Sequence, residues 1–184
     1  MPRPKMNTKG GGGGRRGGRG GGAPQPETDF AQEIIAVDRV TRVMAGGKRM
    51  RFRACVAIGM PQGHRVGVGI AKGADVTGAV NKAVTQARKH LVAVPVYRES
   101  IPCPVEVKYK GAHILLKPAP AGTGVKVGGA VRTMLKLAQV QNVVGKNLGS
   151  SNKISNVRAT LEAFRRLQLL PRPAETELST ETSV

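Results

Sequence analysis

The stretch RMRFRACVAI, residues 49–58, constrains this chain more than any other, because its side chains alternate in kind at period two. Met50, Phe52, Ala54, Val56 and Ile58 fall on one face of an extended strand, and Arg49, Arg51 and Arg53 on the other. One face therefore enters a core while the other carries three guanidiniums in a row. Such a ribbon repels itself unless an anionic surface lies against it. Between Gly46 and Val76 the only acid is Asp75.

Glycine punctuates the flanking segments. Residues 33–43 read as a preceding strand, with Gly46 and Gly47 as the turn into the ribbon and Pro61-Gln62-Gly63 as the next turn. Val66, Val68 and Ile70 then alternate with Gly67, Gly69 and Ala71, leaving a third strand nearly bare on one face. Bare strand backbone admits a helix or a ligand at close range. A helix capped near Asp75 follows: Val76, Ala79, Val80, Ala83, Val84, Ala87 and Leu91 keep i, i+3/i+4 spacing, with Lys82, Arg88 and Lys89 outward. The order is β-β-β-α.

After Val94-Pro95 a second unit reads β-β-α-β-α. Strands at 105–109 and 113–117 are joined by Lys110-Gly111, and a loop at 118–124 leads to a helix opened by Gly128-Gly129. Val131, Met134, Leu135 and Ala138 form the apolar face of that helix. A short strand at 142–146, a turn at 149–152 and a last helix complete the unit. Ser155 or Asn156 caps this helix, Val157, Leu161, Phe164 and Leu167 face inward, and Pro171 ends it. Arg158, Glu162 and Arg166 make an outward ladder. The chain thus divides into a disordered Gly/Arg-rich basic tail (1–29), two folded domains (30–93 and 94–171) and a disordered acidic tail (172–184).

Charge narrows the partner. The chain holds 30 Lys+Arg against 11 Asp+Glu, a formal charge of +19, and residues 30–173 alone hold 24 basic and 6 acidic groups. Acidic proteins, anionic membranes and nucleic acids would all answer such charge. No apolar run approaches the ~20 residues of a membrane span, and no long amphipathic basic helix is present, so no membrane partner is expected. Nucleic acid is the strongest reading, with phosphate contacts supplying most of the affinity. Aromatic platforms are few, namely Phe30, Phe52, Phe164, Tyr97 and Tyr109, with no Trp. This favours backbone and shape recognition of a folded, largely double-stranded nucleic acid over base stacking.

Chemistry-bearing residues add little. Cys55 and Cys103 are far apart and read as buried, reduced thiols; His64, His90 and His113 share no ligand spacing with them, so no metal site is expected. GTGVKVGG, from Gly122, invites a phosphate-loop reading, since glycines before a helix offer amide N–H groups to an anion. Its spacing matches neither GxxxxGK[ST] nor GxGxxG, and no Asp or Glu between Glu106 and Glu162 supplies a magnesium ligand. Three readings stay open: an ATP loop, a turn presenting Lys126 to an RNA phosphate, and tight strand-to-helix packing. No His forms an acid/base pair with a carboxylate, so neither catalysis, a cofactor nor a small-molecule substrate is expected.

EIIAVDRVTRVMAGGKRMRFRACVAIG, GHRVGVGIAKGADVTGAVNKAVTQARKHL and KPAPAGTGVKVGGAVRTMLKLAQVQNVVGKNLGSSNKISNVRATLEAF resemble, in order and spacing, the bacterial-type small ribosomal subunit protein uS5 family over roughly residues 30–170. The resemblance implies an α+β fold. Its N-terminal βββα domain would be double-stranded-RNA-binding-like, and its C-terminal two-layer α/β domain would carry a left-handed β-α-β crossover also found in some small-molecule kinases. It implies a cytoplasmic structural constituent of the small subunit that binds rRNA near the decoding region and the channel through which mRNA enters. There the family contacts the fourth and eighth small-subunit proteins and supports assembly and translational accuracy.

Residue by residue, Gly46, Gly47, Lys48 and Arg49 match the family's glycine-glycine-basic turn. Arg65, Gly67, Gly69 and Lys72 match its RVGxGxxKA run, and Gly122, Gly124, Gly128 and Gly129 its second glycine loop. Gly149, Ser150 and Asn152 match its GSxN turn, with Arg158 in the segment that follows. Arg42, Arg51, Arg53, Thr123, Lys126 and Lys153 complete the rRNA-contact set expected here. Ala45, Ile70 and Asp75 depart from the family's common lysine, aromatic and glutamate.

Overall fold

The computed structural model describes residues 30–60 and 62–170. The expected basic and acidic tails, Pro61 of the second turn and the helix stop at Pro171 lie outside the described residues.

β1 (Ala31–Met44) and β2 (Gly47–Met60) form an antiparallel hairpin, β3 (Arg65–Gly73) pairs with β2, and α1 (Val76–Lys89) returns across the sheet. The turn residues are Ala45 and Gly46, with Gly46 at φ +91°; Gly47 already belongs to β2. A fourth strand, β4 (Leu91–Ala93), adds to β3, so the first unit is β-β-β-α-β and Leu91 leaves the helix face assigned to it. Three residues between a helix and a proline are too few to show a period.

The bare face of β3 receives α1. A Cβ on Gly69 would lie 1.9 Å from the Ala83 carbonyl oxygen, and one on Gly67 2.4 Å from that of Ala87. Ala79, Ala83 and Ala87 are fully buried there against Ala54, Val56 and Ile58. Small residues on both sides let the backbones meet, which is why alanine and glycine stand where leucine is usual. Asp75 occupies the N-cap position, but its side chain makes no capping hydrogen bond.

The second sheet has the order β5-β6-β8-β7: β5 (Val105–Tyr109), β6 (Ala112–Pro118), β7 (Val125–Lys126) and β8 (Val143–Asn147). β7 was not legible in the sequence. It runs parallel to β8 and makes β7-α2-β8 a crossover around α2 (Gly129–Leu137). α3 (Lys153–Leu169) is capped by Asn152, whose side chain accepts from the Ile154 amide at 3.0 Å; the cap expected at Ser155 or Asn156 lies inside the helix. The outward ladder also differs. Glu162 pairs with Arg165 at 3.6 Å, and Arg166 donates to the Glu106 carbonyl.

One cluster of buried side chains spans both sheets. Cys55, Ala57, Val66 and Val68 pack in it with Leu135, Ala138 and Phe164. The second half of β2 is thus buried on both faces, α1 on one side and the α2/α3 layer on the other. α2 ends directly on β2: a Cβ on Gly59 would lie 2.4 Å from the Leu137 carbonyl oxygen. His64, in the β2–β3 turn, reaches the Ala138 carbonyl at 2.9 Å.

Candidate nucleic-acid interface

The hairpin outruns its sheet. β3 pairs with β2 only from Phe52 onward, so residues 39–51 project as a two-stranded ribbon. Its register sets Arg42 opposite Arg49 and Val40 opposite Arg51, with Lys72 of β3 opposite Arg53. Like charges directly opposite one another destabilise a strand pair, and nothing on the ribbon neutralises Arg42 and Arg49. Arg42, Arg49, Arg51 and Lys72, with Val40 and Met44, line a concavity of about 260 Å³ that has no carboxylate among its lining residues. Four cations around an acid-free groove make a seat for phosphate oxygens.

Arg53 continues the row on β2 but is engaged within the protein. Its guanidinium donates to Asp38 at 2.8 Å from directly across the hairpin. Of the three guanidiniums expected in a row, Arg49 and Arg51 have no carboxylate partner among the described residues and Arg53 is paired with Asp38. The same face then passes at Cys55 into the core. Burial pushes the Cys55 thiol up to about 11, against the opposing pull of Arg158 and Arg53 and with a smaller push from Asp38. Arg158 of α3 therefore stands near the base of the ribbon, exposed. Lys48 lies at the tip on the opposite face, paired in register with Val43, which is 72% exposed. Arg65 sits at the far end of β3, seven residues or roughly 23 Å of strand from Lys72, beside Arg165 and Gln168.

The glycine loop does not form one cradle. β7 separates Gly122 and Gly124, at the Pro118 end of β6, from Gly128 and Gly129, which reach the Asn147 end of β8. Gly122 and Gly124 adopt positive φ (86° and 73°), and their loop is tied internally. The Gly124 amide donates to the buried Asn142 side chain at 3.2 Å, and the Thr123 amide to the Pro120 carbonyl. With those amides occupied the loop does not suit ATP; left-handed backbone explains Gly122 and Gly124, and close packing on Asn147 explains Gly128 alone. Ser150 and Asn152 likewise serve the chain: the Asn152 amide donates to Ser150 Oγ at 3.2 Å, the Ser150 amide to the Gly111 carbonyl, and Asn152 caps α3. Lys153 is exposed at the start of that helix.

Lys126 points outward and belongs to a surface missed in the sequence. Its register partner is Val144, which also faces Lys117, while Lys146 faces Leu115. The uncovered face of the second sheet thus presents Lys108, Lys117, Lys126 and Lys146. The signal was the period-two spacing of Lys117 and Lys146 with their strands. On the same face His113 contacts Glu106 at 2.5 Å, so one His–carboxylate pair does exist. Both side chains are partly exposed, as in a cross-strand surface pair. Among the described residues no group of three His, Cys, Asp or Glu side chains is placed to hold a metal, and no helix is long and apolar enough to cross a membrane.

Comparison with known proteins decides the family. The profile of the ribosomal protein S5 N-terminal domain matches residues 30–95, and that of the S5 C-terminal domain matches residues 107–176. The small ribosomal subunit protein uS5 of Thermosynechococcus vestitus is 46% identical over 152 residues, 82% of this chain and 87% of that protein. The chain belongs to the ribosomal protein S5 family. The uS5 proteins of Trichormus variabilis (45% identical, 81% of this chain and 86% of that one) and Gloeobacter violaceus (48%, 79% and 66%) agree. Within the S5 frame the acid-free groove lies wholly in the N-terminal match, and the lysine face wholly in the C-terminal one.

Proposed function

We propose that the chain is a structural, non-enzymatic protein of the small ribosomal subunit, held to rRNA by the Arg42/Arg49/Arg51/Lys72 groove. The observation that carries this reading is the facing Arg42–Arg49 pair, an arrangement that is unfavourable in the free protein and favourable against phosphate. Arg158, Lys153 and Lys126 extend the contact from the second half. The Gly46–Gly47 tip and Lys48 enter the RNA first because they project furthest.

Family membership supports the finer points of the reading. The N-terminal domain, to about residue 93, is double-stranded-RNA-binding-like, and the β7-α2-β8 crossover of the domain after it is left-handed. The protein sits near the decoding region and the channel through which mRNA enters, in the cytoplasm. It touches the fourth and eighth small-subunit proteins and supports assembly and accuracy.

A salt titration with isolated small-subunit rRNA tests the groove. The groove's four phosphate contacts contribute about −3 to −4 to the log–log salt slope, and Arg49→Glu with Arg51→Glu flattens the slope by about two. A slope near zero, or one indifferent to the double variant, removes the groove from the interface.

A further inference from the structure

We infer that a second, separate pocket takes a single unstacked rRNA nucleotide, its base against Tyr97 and its phosphate on Arg98; the inference rests on the RNA-binding reading above. Tyr97 and Ser100 exchange both backbone hydrogen bonds, at 2.8 and 2.9 Å, around a two-residue turn. Its central residues are Arg98 at φ +47° and Glu99 at φ +64°. Asn-Gly and similar pairs fill such turns because two successive left-handed residues strain any longer side chain. Two long charged residues here are a cost that folding alone does not call for.

The turn sends its two side chains to different places. The Glu99 carboxylate turns toward Asn142, whose side-chain amide donates to it at 3.5 Å, and the Glu99 main-chain carbonyl accepts the Gln141 and Asn142 amides at 3.0 Å. Arg98 is exposed and stacks over the Tyr97 ring, its guanidinium carbon 5.2 Å from the centroid. Below that pair opens a concavity of about 480 Å³, closed by Ile101, Pro102, Pro118 and Pro120. Its far wall is fixed, since the Ala119 amide donates to Ser100 Oγ, and Ser100 Oγ donates to the Asn142 carbonyl at 2.6 Å.

The lining is apolar, flat on the Tyr97 side and free of carboxylates, with one cation at the lip. That combination matches an unpaired base with its phosphate: the ring stacks on aromatic and proline surfaces and the guanidinium pairs with the phosphate. The arginine groove on the ribbon has no such flat wall. The two sites thus read different features of one RNA, duplex backbone in the first and an extruded base in the second.

Full-length protein is tested against two probes, fluorescein-labelled hexa-adenosine RNA and an RNA duplex of about 16 base pairs. Arg98→Gly relieves the positive φ, so it raises the melting temperature while weakening hexa-adenosine binding about fivefold or more. Tyr97→Leu, which keeps apolar volume but no flat ring, weakens it similarly; both leave duplex binding unchanged. Unchanged hexa-adenosine affinity in both variants, or no binding to the wild type, overturns the pocket. An Arg98→Gly protein that melts lower than wild type also overturns it, since the turn would then be structural. If duplex binding ignores Arg49→Glu/Arg51→Glu while hexa-adenosine binding still falls with Arg98→Gly, the pocket stands and only the groove fails.

Discussion

Cys55 and Cys103 look alike in the sequence and differ in the fold. Both were expected to be buried; Cys55 is 1% exposed, but Cys103 is only half-buried. Native protein should therefore lose one thiol quickly to a maleimide and the second only with global unfolding, as counted by mass spectrometry. Cys55 also gives stability a pH dependence. Its folded pKa, about 11, lies above the ordinary 9.0, so the unfolded chain releases its proton first. The contribution is complete below pH 9 and is lost as pH rises to about 11, by roughly 2 to 3 kcal/mol. A Cys55→Ala protein should lack that part of the alkaline decline in denaturant titrations.

The hairpin is the element where reading and structure part most usefully. Asp38 pairs with Arg53 across a partly exposed surface, so its loss alters stability by less than about 1 kcal/mol. Asp38→Asn should instead free one guanidinium beside Lys72 and steepen the salt slope of RNA binding by about one. An unchanged slope would mean that Arg53 stays out of reach of RNA. The pair was legible in principle: a two-residue turn at Ala45–Gly46 fixes the register, and counting back from it sets 38 against 53. The alternation of β2, the bare face of β3 and the helices were readable because each is a local period. β4 and β7 were not, being three and two residues long and defined only by the strands they join. The lysine face of the second sheet was hidden for a related reason. Its members come from four strands and share a surface only through pairing. Nor does any local pattern announce Arg98 and Glu99, whose left-handed turn is held by Asn142, 43 residues beyond Glu99 and just before β8.

Across the whole molecule, the cluster shared by both sheets makes the halves interdependent. Cys55, Ala57, Val66 and Val68 would face water in a fragment ending near residue 95. Full-length protein should melt in one transition by calorimetry, and the isolated 30–95 fragment should melt far lower or aggregate. Two well-separated transitions in the intact chain would show that the shared cluster contributes little. The seam at Gly59 carries a further consequence. Because the Leu137 carbonyl rests where a side chain would stand, β2 and α2 cannot slide past one another. The arginine ribbon and the lysine face are thereby kept at one spacing before any RNA arrives. On the proposed rRNA-binding reading, a phosphate contact made by one brings the other to the RNA at a high effective concentration, as in a rigid chelator and not two grips on a tether.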